Sequence, residues 1–461
     1  MKRFLKIASA SLAVLQACGA ASMAEDSSSA GAPELRAGAA KLDITPDPSS
    51  LPKGFLGVMD PINVRALVLE SDGRTAALVS VDAGAVPDTV WRSVTERAAE
   101  SLGIPAANIL VTATHTHSVP RDMGPALSDR IVDAIRQAAA ALEPATIAYG
   151  EGVSHINVNR NMIDPDTRKW WEGPNYGGPS DKTVAVLGVL DAQGQPIAVY
   201  YNYAVHAVLT GQSDKISADI PGAASRYIEE SLVGDAVALW SEGAAGDQNP
   251  IYFQQTYDLR EIRIREFASR GIDISNAMPP GGQGLDRDDP QVRKLMKQQE
   301  QMTASMGQML GEEVLHVMRA NLDRPEAVPV IYGTAKNVQC PGRVRTDEGR
   351  AGAPGSYADA DPVPIRLSLL RIGDIVLGGV NAEVFNPISV KFKAKAPSAR
   401  TMMATLTNGY APSGYIPHDA AYGQYTFEVL SSRLKPGCAE EAITDGLLDL
   451  IDASELDRRK P

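Results

Sequence analysis

Three times along this chain, two apolar runs are separated by a short polar turn that carries glycine. Ala66–Glu70 and Thr75–Val81 flank Ser71-Asp-Gly-Arg74. Val184–Leu190 and Ile197–Tyr203 flank Asp191-Ala-Gln-Gly-Gln195, and Ile365–Arg371 and Ile375–Val380 flank Ile372-Gly-Asp374. Runs rich in β-branched residues and leucine, joined by so few residues, read as antiparallel hairpins. They are continuously apolar rather than alternating, so burial on both faces is expected.

Helical patterns lie between them. Trp91, Val94, Ala98 and Leu102 recur at helical spacing with Asp88 as N-cap, and Ile131, Ile135, Ala138 and Leu142 repeat the pattern. Pro221–Leu232 starts with proline in a first-turn position. Gln291–Asn321 predicts a long helix whose Met296, Met302, Met306, Met309 and Met318 read as packing groups rather than metal ligands. Asn276–Pro290 and Gly342–Pro364 read as loops. No repeat or compositional break divides the chain. The expected fold is α/β, a single large domain with mixed β-sheets flanked by helices over residues 36–453, with 454–461 as a tail.

The net charge of −12 argues against nucleic acid as a partner. At the start, Lys2, Arg3 and Lys6 precede the apolar run Ile7–Leu15, and Ser22-Met-Ala24 offers a small-residue cleavage site. That pattern reads as a signal peptide over 1–24, followed by a Ser/Ala/Gly-rich linker over 25–35, and its apolar part is too short for a bilayer of roughly 30 Å. Leu15-Gln-Ala-Cys18 also resembles a lipoprotein cleavage box, which would lipidate Cys18 and allow peripheral membrane contact. Either way a periplasmic or secreted protein is expected. Export leaves Cys340 and Cys438 free to pair or to stay separate thiols.

Chemistry concentrates at the ends of the apolar runs. His115-Thr-His117 closes the run Asn108-Ile-Leu-Val-Thr-Ala-Thr114, and alternation in an extended segment puts both imidazoles on one face. His206 follows Ala198-Val-Tyr-Tyr-Asn-Tyr-Ala-Val205, and Glu383 follows Gly378-Gly-Val-Asn-Ala382. A carboxylate at a buried strand end needs a cation. Asp247 lies in the small-residue turn Gly243-Ala-Ala-Gly-Asp-Gln-Asn-Pro250, while Asp82 and Asp219 read as structural acids. A catalytic zinc keeps about three protein ligands and an open position, for which His115 or His117, His206 and one carboxylate suffice. Taken singly, each of these residues is as readily a packed histidine or a surface acid; as a set they form a constellation.

As a set they also carry a resemblance. Thr114-His-Thr-His-Ser118, Asn157-Val-Asn-Arg160, Asn202-Tyr-Ala-Val-His206, Ser217-Ala-Asp219, Ala245-Gly-Asp247, Ala382-Glu383 and Asn408-Gly-Tyr410 followed by Tyr415 resemble, in order, the motifs of the neutral/alkaline (non-lysosomal) ceramidase family. The resemblance spans about Arg36 to Leu450. It implies zinc ligands His115, His206, Glu383 and Tyr415, with Tyr410 as the alternative phenol. It also implies that His117 contacts substrate or the attacking water and that Arg160 binds the substrate's polar head or carbonyl oxygen; in the mechanism read from this set, His117 or Asp247 assists proton transfer.

Two departures from the family pattern stand out. The family's catalytic serine aligns with Gly243, two residues after Ser241, so metal-activated water is the expected nucleophile. The chain also ends at Pro461, without the immunoglobulin-like domain that the resemblance implies. The function expected is an exported zinc amidohydrolase acting on a ceramide-like N-acyl compound, with a small-molecule or lipid substrate as its partner. The alternatives are an esterase or lactonase with another substrate, including a sugar derivative, on the same scaffold, and a binding protein that has lost turnover.

Overall fold

The computed structural model describes residues 34–274, 281–347 and 351–458. The expected signal sequence with Cys18, most of the expected linker and the last three residues lie outside the described residues. All three hairpins are present. Strands Asn63–Ser71 and Arg74–Val81 turn at Asp72 and Gly73, both at positive φ (50° and 69°). That conformation matches the twist of the flanking strands.

Strands Thr183–Asp191 with Pro196–Tyr203, and Tyr357–Ile372 with Ile375–Val380, are the other two hairpins. The first two build an eight-stranded mixed sheet. Its order is Val237–Glu242, Pro196–Tyr203, Thr183–Asp191, Glu143–Val153, Arg36–Asp43, Asn63–Ser71, Arg74–Val81 and Ile109–Ala113. The outermost pair on each side is parallel and the rest are antiparallel.

The halves of this sheet are joined only where Arg36 and Ala37 meet Pro144 and Glu143. It bends back at that joint, so that Val237–Glu242 packs against Asn63–Ser71, Arg74–Val81 and Ile109–Ala113. Strand ends at opposite edges of the sheet thereby come together. The site depends on that bend.

A second sheet runs Ile331–Arg345, Tyr357–Ile372, Ile375–Val380, Thr401–Ala404. Alternation assigns its faces. Leu370, Ile372, Leu377 and Met402 share one core with Leu67, Leu69, Leu78, Leu187 and Leu239 of the first sheet, whereas Leu367, Leu369, Val376 and Met403 pack on the helical side with Phe392, Ile443 and Leu447. The first sheet's other face (Val68, Ala77, Val79) lies under helices Asp88–Leu102 and Ala126–Ala140, and Val186, Val199 and Tyr201 lie under Asp219–Ser231 and Pro290–His316. The result is helix, sheet, sheet, helix. Each fully buried Leu or Val contributes about 1.5–3 kcal/mol, which is why the runs are apolar on both faces.

Several elements differ from the sequence reading. Gly342–Pro364 is only partly loop: strands Ile331–Arg345 and Tyr357–Ile372 take up both its ends as a two-stranded ribbon with a bulge at Cys340/Gly342. Its far end is solvent-exposed on most residues, so there was no apolar run to read. Helix Asp88–Leu102 is capped by Pro87, and Asp88 falls in its first turn, where it pairs with Arg366. Helix Ala439–Arg458 runs into the expected tail as far as Arg458, and Ser454 and Glu455 there bind the buried Arg371. Met306 is buried and Met296, Met302 and Met318 pack against cores, while Met309 is exposed. Cys340 and Cys438 form a disulfide. Among the described residues no helix is long and apolar enough to cross a membrane.

Candidate metal centre

Four remote segments deliver the site. His115 leaves strand Ile109–Ala113 at φ 62°, a left-handed conformation that costs a non-glycine residue about 1–3 kcal/mol. It is held there by neighbouring hydrogen bonds, Thr114 N to the Val81 carbonyl and His117 N to the Ala207 carbonyl. His206 follows strand Pro196–Tyr203, and its backbone N–H donates to the Gln248 carbonyl. Glu383 and Tyr415 pair directly in a short parallel ladder.

The imidazoles converge through their Nε2 atoms. His115 Nε2 lies 3.0 Å from His206 Nε2, 3.2 Å from Glu383 Oε2 and 3.4 Å from His117 Nε2. His206 Nε2 is 3.3 Å from the same carboxylate oxygen. The far nitrogens are committed to backbone: His115 Nδ1 to the Gly84 carbonyl at 2.6 Å and His206 Nδ1 to the Ala245 carbonyl at 2.8 Å. A carbonyl only accepts, so each Nδ1 carries a proton, and in the neutral ring Nε2 then presents a lone pair, as in metal-ligating histidines. The ligand atoms of His115, His117 and His206 all lie within 4.8 Å of one another, a candidate metal site.

Charge follows from the surroundings. Burial, with Arg160 and His115 nearby, pushes the His206 imidazole down to about 4 and keeps it neutral. Burial opposes the charge on Glu383, yet His115 and His206 hold its carboxyl well below the usual range. His117 is the one ring of the three with an exposed edge. Protein still surrounds the rest of it, and lost hydration together with His115 and His206 holds it well below its ordinary value. Tyr410, partly exposed, donates to Glu383 Oε1 at 2.7 Å, so Oε2 alone faces the imidazoles. The Tyr415 hydroxyl also reaches Glu383, and burial first, then that carboxylate, raises its pKa well above the ordinary value.

Arg160 is buried, and its hydrogen bonds go to protein: Nε to Glu428 Oε1 at 2.6 Å, Nη1 to Asn249 Oδ1 at 3.1 Å, Nη2 to the Gly246 carbonyl at 2.8 Å and to the Tyr415 hydroxyl at 3.2 Å. It meets the cluster through Tyr415. Asp247 is equally buried, accepting from Asn159, Gln248 and the Asn386 backbone. It thereby braces the loop whose Ala245 carbonyl holds His206. His155 and His316 are exposed elsewhere, and His418 lies against Phe385.

Gly243 has a steric reason. A Cβ there would stand 2.9 Å from the Ala204 backbone nitrogen and 3.0 Å from its Cα, so the chain closes on the strand leading to His206 only with glycine. Ser241 is fully buried, accepting from the Asn202 amide at 2.8 Å. The backbone carbonyls of Gly84 and Ala245 left no mark in the sequence. Glu428 and Phe427 left none either, although Phe427 lies 5.7 Å from the Tyr415 ring and 5.1 Å from the Arg160 guanidinium.

No family model matches the chain. A curated protein, neutral ceramidase B of Dictyostelium discoideum, is 27% identical over 262 residues, which take in 48% of this chain and 36% of that protein. The match thus spans little more than a third of the curated relative. Two solved structures share the fold at 19% identity. A ceramidase complexed with C2 has a TM-score of 0.65 over 92% of this chain and 76% of that one. The neutral ceramidase from Pseudomonas aeruginosa has a TM-score of 0.66 over 93% and 75%. In both sequence and architecture, then, the chain is related to the neutral ceramidase family.

Proposed function

We propose that this chain is an exported zinc-dependent hydrolase that cleaves the amide bond of an N-acylated, ceramide-like substrate. One observation carries the proposal. Two Nε2 lone pairs face each other 3.0 Å apart, with an ionised carboxylate oxygen 3.2 and 3.3 Å away. Acceptors cannot satisfy one another, so a cation among them resolves the site. Two imidazoles, a carboxylate and a phenol are donors suited to zinc, with His115, His206, Glu383 and Tyr415 holding it. Zinc supplies Lewis acidity, which makes water nucleophilic near neutral pH and polarises an amide carbonyl.

The side chains supply the rest. Tyr410 keeps its proton and holds Glu383 Oε1, which fixes Oε2 toward the metal position. His117, neutral and open to solvent on one edge, takes a proton from the attacking water and returns it to the amine nitrogen as the C–N bond breaks. The products are a carboxylic acid and a free amine. Arg160 lends positive charge through Tyr415. With Gly243 in place of a hydroxyl residue and Ser241 turned inward, water is the nucleophile. The Cys340–Cys438 disulfide and the basic-then-apolar start of the chain support an exported location.

A second arrangement has its own support: His117 Nε2, 3.4 Å from His115 Nε2, is placed to be a third imidazole ligand in place of Tyr415. The whole reading is tested by zinc analysis of the purified protein and a fluorogenic panel of N-acyl amides and esters, with and without chelator. Chelator-sensitive amide cleavage supports it. Ester cleavage alone replaces it with the esterase or lactonase, and bound zinc without turnover replaces it with a binding protein.

A further inference from the structure

The proposed mechanism leaves unused the buried acid that holds Arg160. Glu428 is fully buried on the short helix Phe427–Ser431, and only one of its oxygens is engaged, by Arg160 Nε at 2.6 Å. Its Oε2 has no hydrogen bond of ordinary geometry among the described residues, with the Thr426 hydroxyl its nearest donor, and burial pushes the carboxyl up to about 7 against the pull of Arg160. Burying a carboxylate with half its acceptors unmet is costly, and a neutral residue of similar size would avoid the cost. The return on that cost lies one residue away. With Nε fixed by Glu428, Nη1 by Asn249 and Nη2 by the Gly246 carbonyl, the guanidinium plane has one orientation, and in it Nη2 donates to Tyr415 at 3.2 Å. Asn249 is tied in turn to Glu172, which pairs with Arg260 at 2.9 Å, so the chain of contacts extends away from the site. A guanidinium placed beside a divalent cation repels it unless a counter-charge is held equally close.

We propose that Glu428 is a positioning residue for the metal centre, balancing the Arg160 charge and orienting Arg160 so that the Tyr415 oxygen is presented toward His115, His206 and Glu383. The inference rests on the zinc reading above. Glu428 touches no substrate. It acts through Arg160 on Tyr415.

The test is zinc affinity of the full-length protein, measured by competition with a chromogenic chelator, for wild type and Glu428→Gln. Glutamine keeps the size and a carbonyl for Nε but removes the charge. Zinc affinity is expected to fall 10–100-fold, the usual effect of removing a support of a metal ligand, with near-UV circular dichroism unchanged. On a Tyr415→Phe background the same substitution is expected to have no further effect, since its route is gone. A merely structural Glu428 would lower Tm and leave zinc affinity alone. Affinity within about twofold of wild type overturns the proposal, as does a full effect persisting without the Tyr415 hydroxyl. Should Glu428→Gln not fold, Glu428→Asp, which keeps the charge but draws it back by a methylene, is read by the same criteria. Wild type that takes up no zinc removes the functional reading and this inference together. Wild type that binds zinc beside an unaffected Glu428→Gln removes this inference alone.

Discussion

At the scale of single residues, His117 separates the two arrangements of the centre. As the proton carrier it is dispensable for zinc, so His117→Ala should hold zinc as wild type does while turnover falls about 10²–10⁴-fold. Loss of zinc in that variant would make His117 a ligand instead. Gly243 gives the opposite kind of prediction. Restoring a serine there drives Cβ into the Ala204 backbone at 2.9 Å, so Gly243→Ser should gain no activity and lose about 1–3 kcal/mol in urea unfolding. A stable, faster Gly243→Ser enzyme would show that the strand end moves aside and that a hydroxyl nucleophile fits. Site residues were legible where chemistry and chain position coincided. His115, His206 and Glu383 each follow an apolar run, whereas Glu428, inside Phe427-Glu-Val-Leu-Ser431, looks like any helical surface acid until Arg160 folds onto it.

At the scale of elements, the disulfide joins the exposed ribbon to the start of the last helix and closes a separation of 98 residues. Replacing Cys340 with serine should cost about 3–5 kcal/mol of stability while zinc content stays at the wild-type level, because neither sulfur touches the centre. Zinc loss in Cys340→Ser would instead tie the ribbon to the site. The three hairpins were readable because glycine-bearing turns fall between apolar runs, and in the first, Asp72 and Gly73 take the positive φ that such a turn demands. The ribbon was not readable, because Pro341, Gly342, Pro362 and Pro364 mimic loop composition along strands that need little apolar surface. Helix Gln254–Ser269 hid for a related reason: charged residues surround it, and few of its positions are buried.

At the scale of the whole molecule, the feature no local pattern could give is the bend of the eight-stranded sheet, which brings the ends of Ile109–Ala113 and Pro196–Tyr203 to one point. Apolar residues on both faces require layers but do not say where a sheet folds back. Burial in that packed interior also imposes a pH signature. Asp219, fully buried, has its carboxyl pushed up from 3.8 to about 6, so the native state keeps a proton that the unfolded chain releases. Stability therefore falls as pH rises between about 4 and 6. Relative to Asp219→Asn, metal-free wild type should lose about 2–3 kcal/mol across that window in urea unfolding, and parallel curves would show that Asp219 is ionised in the fold. If the bent sheet assembles a metal centre from remote segments, the purified wild-type chain should carry about one zinc and His206→Ala almost none; equal zinc in both, or none in either, would rule that centre out.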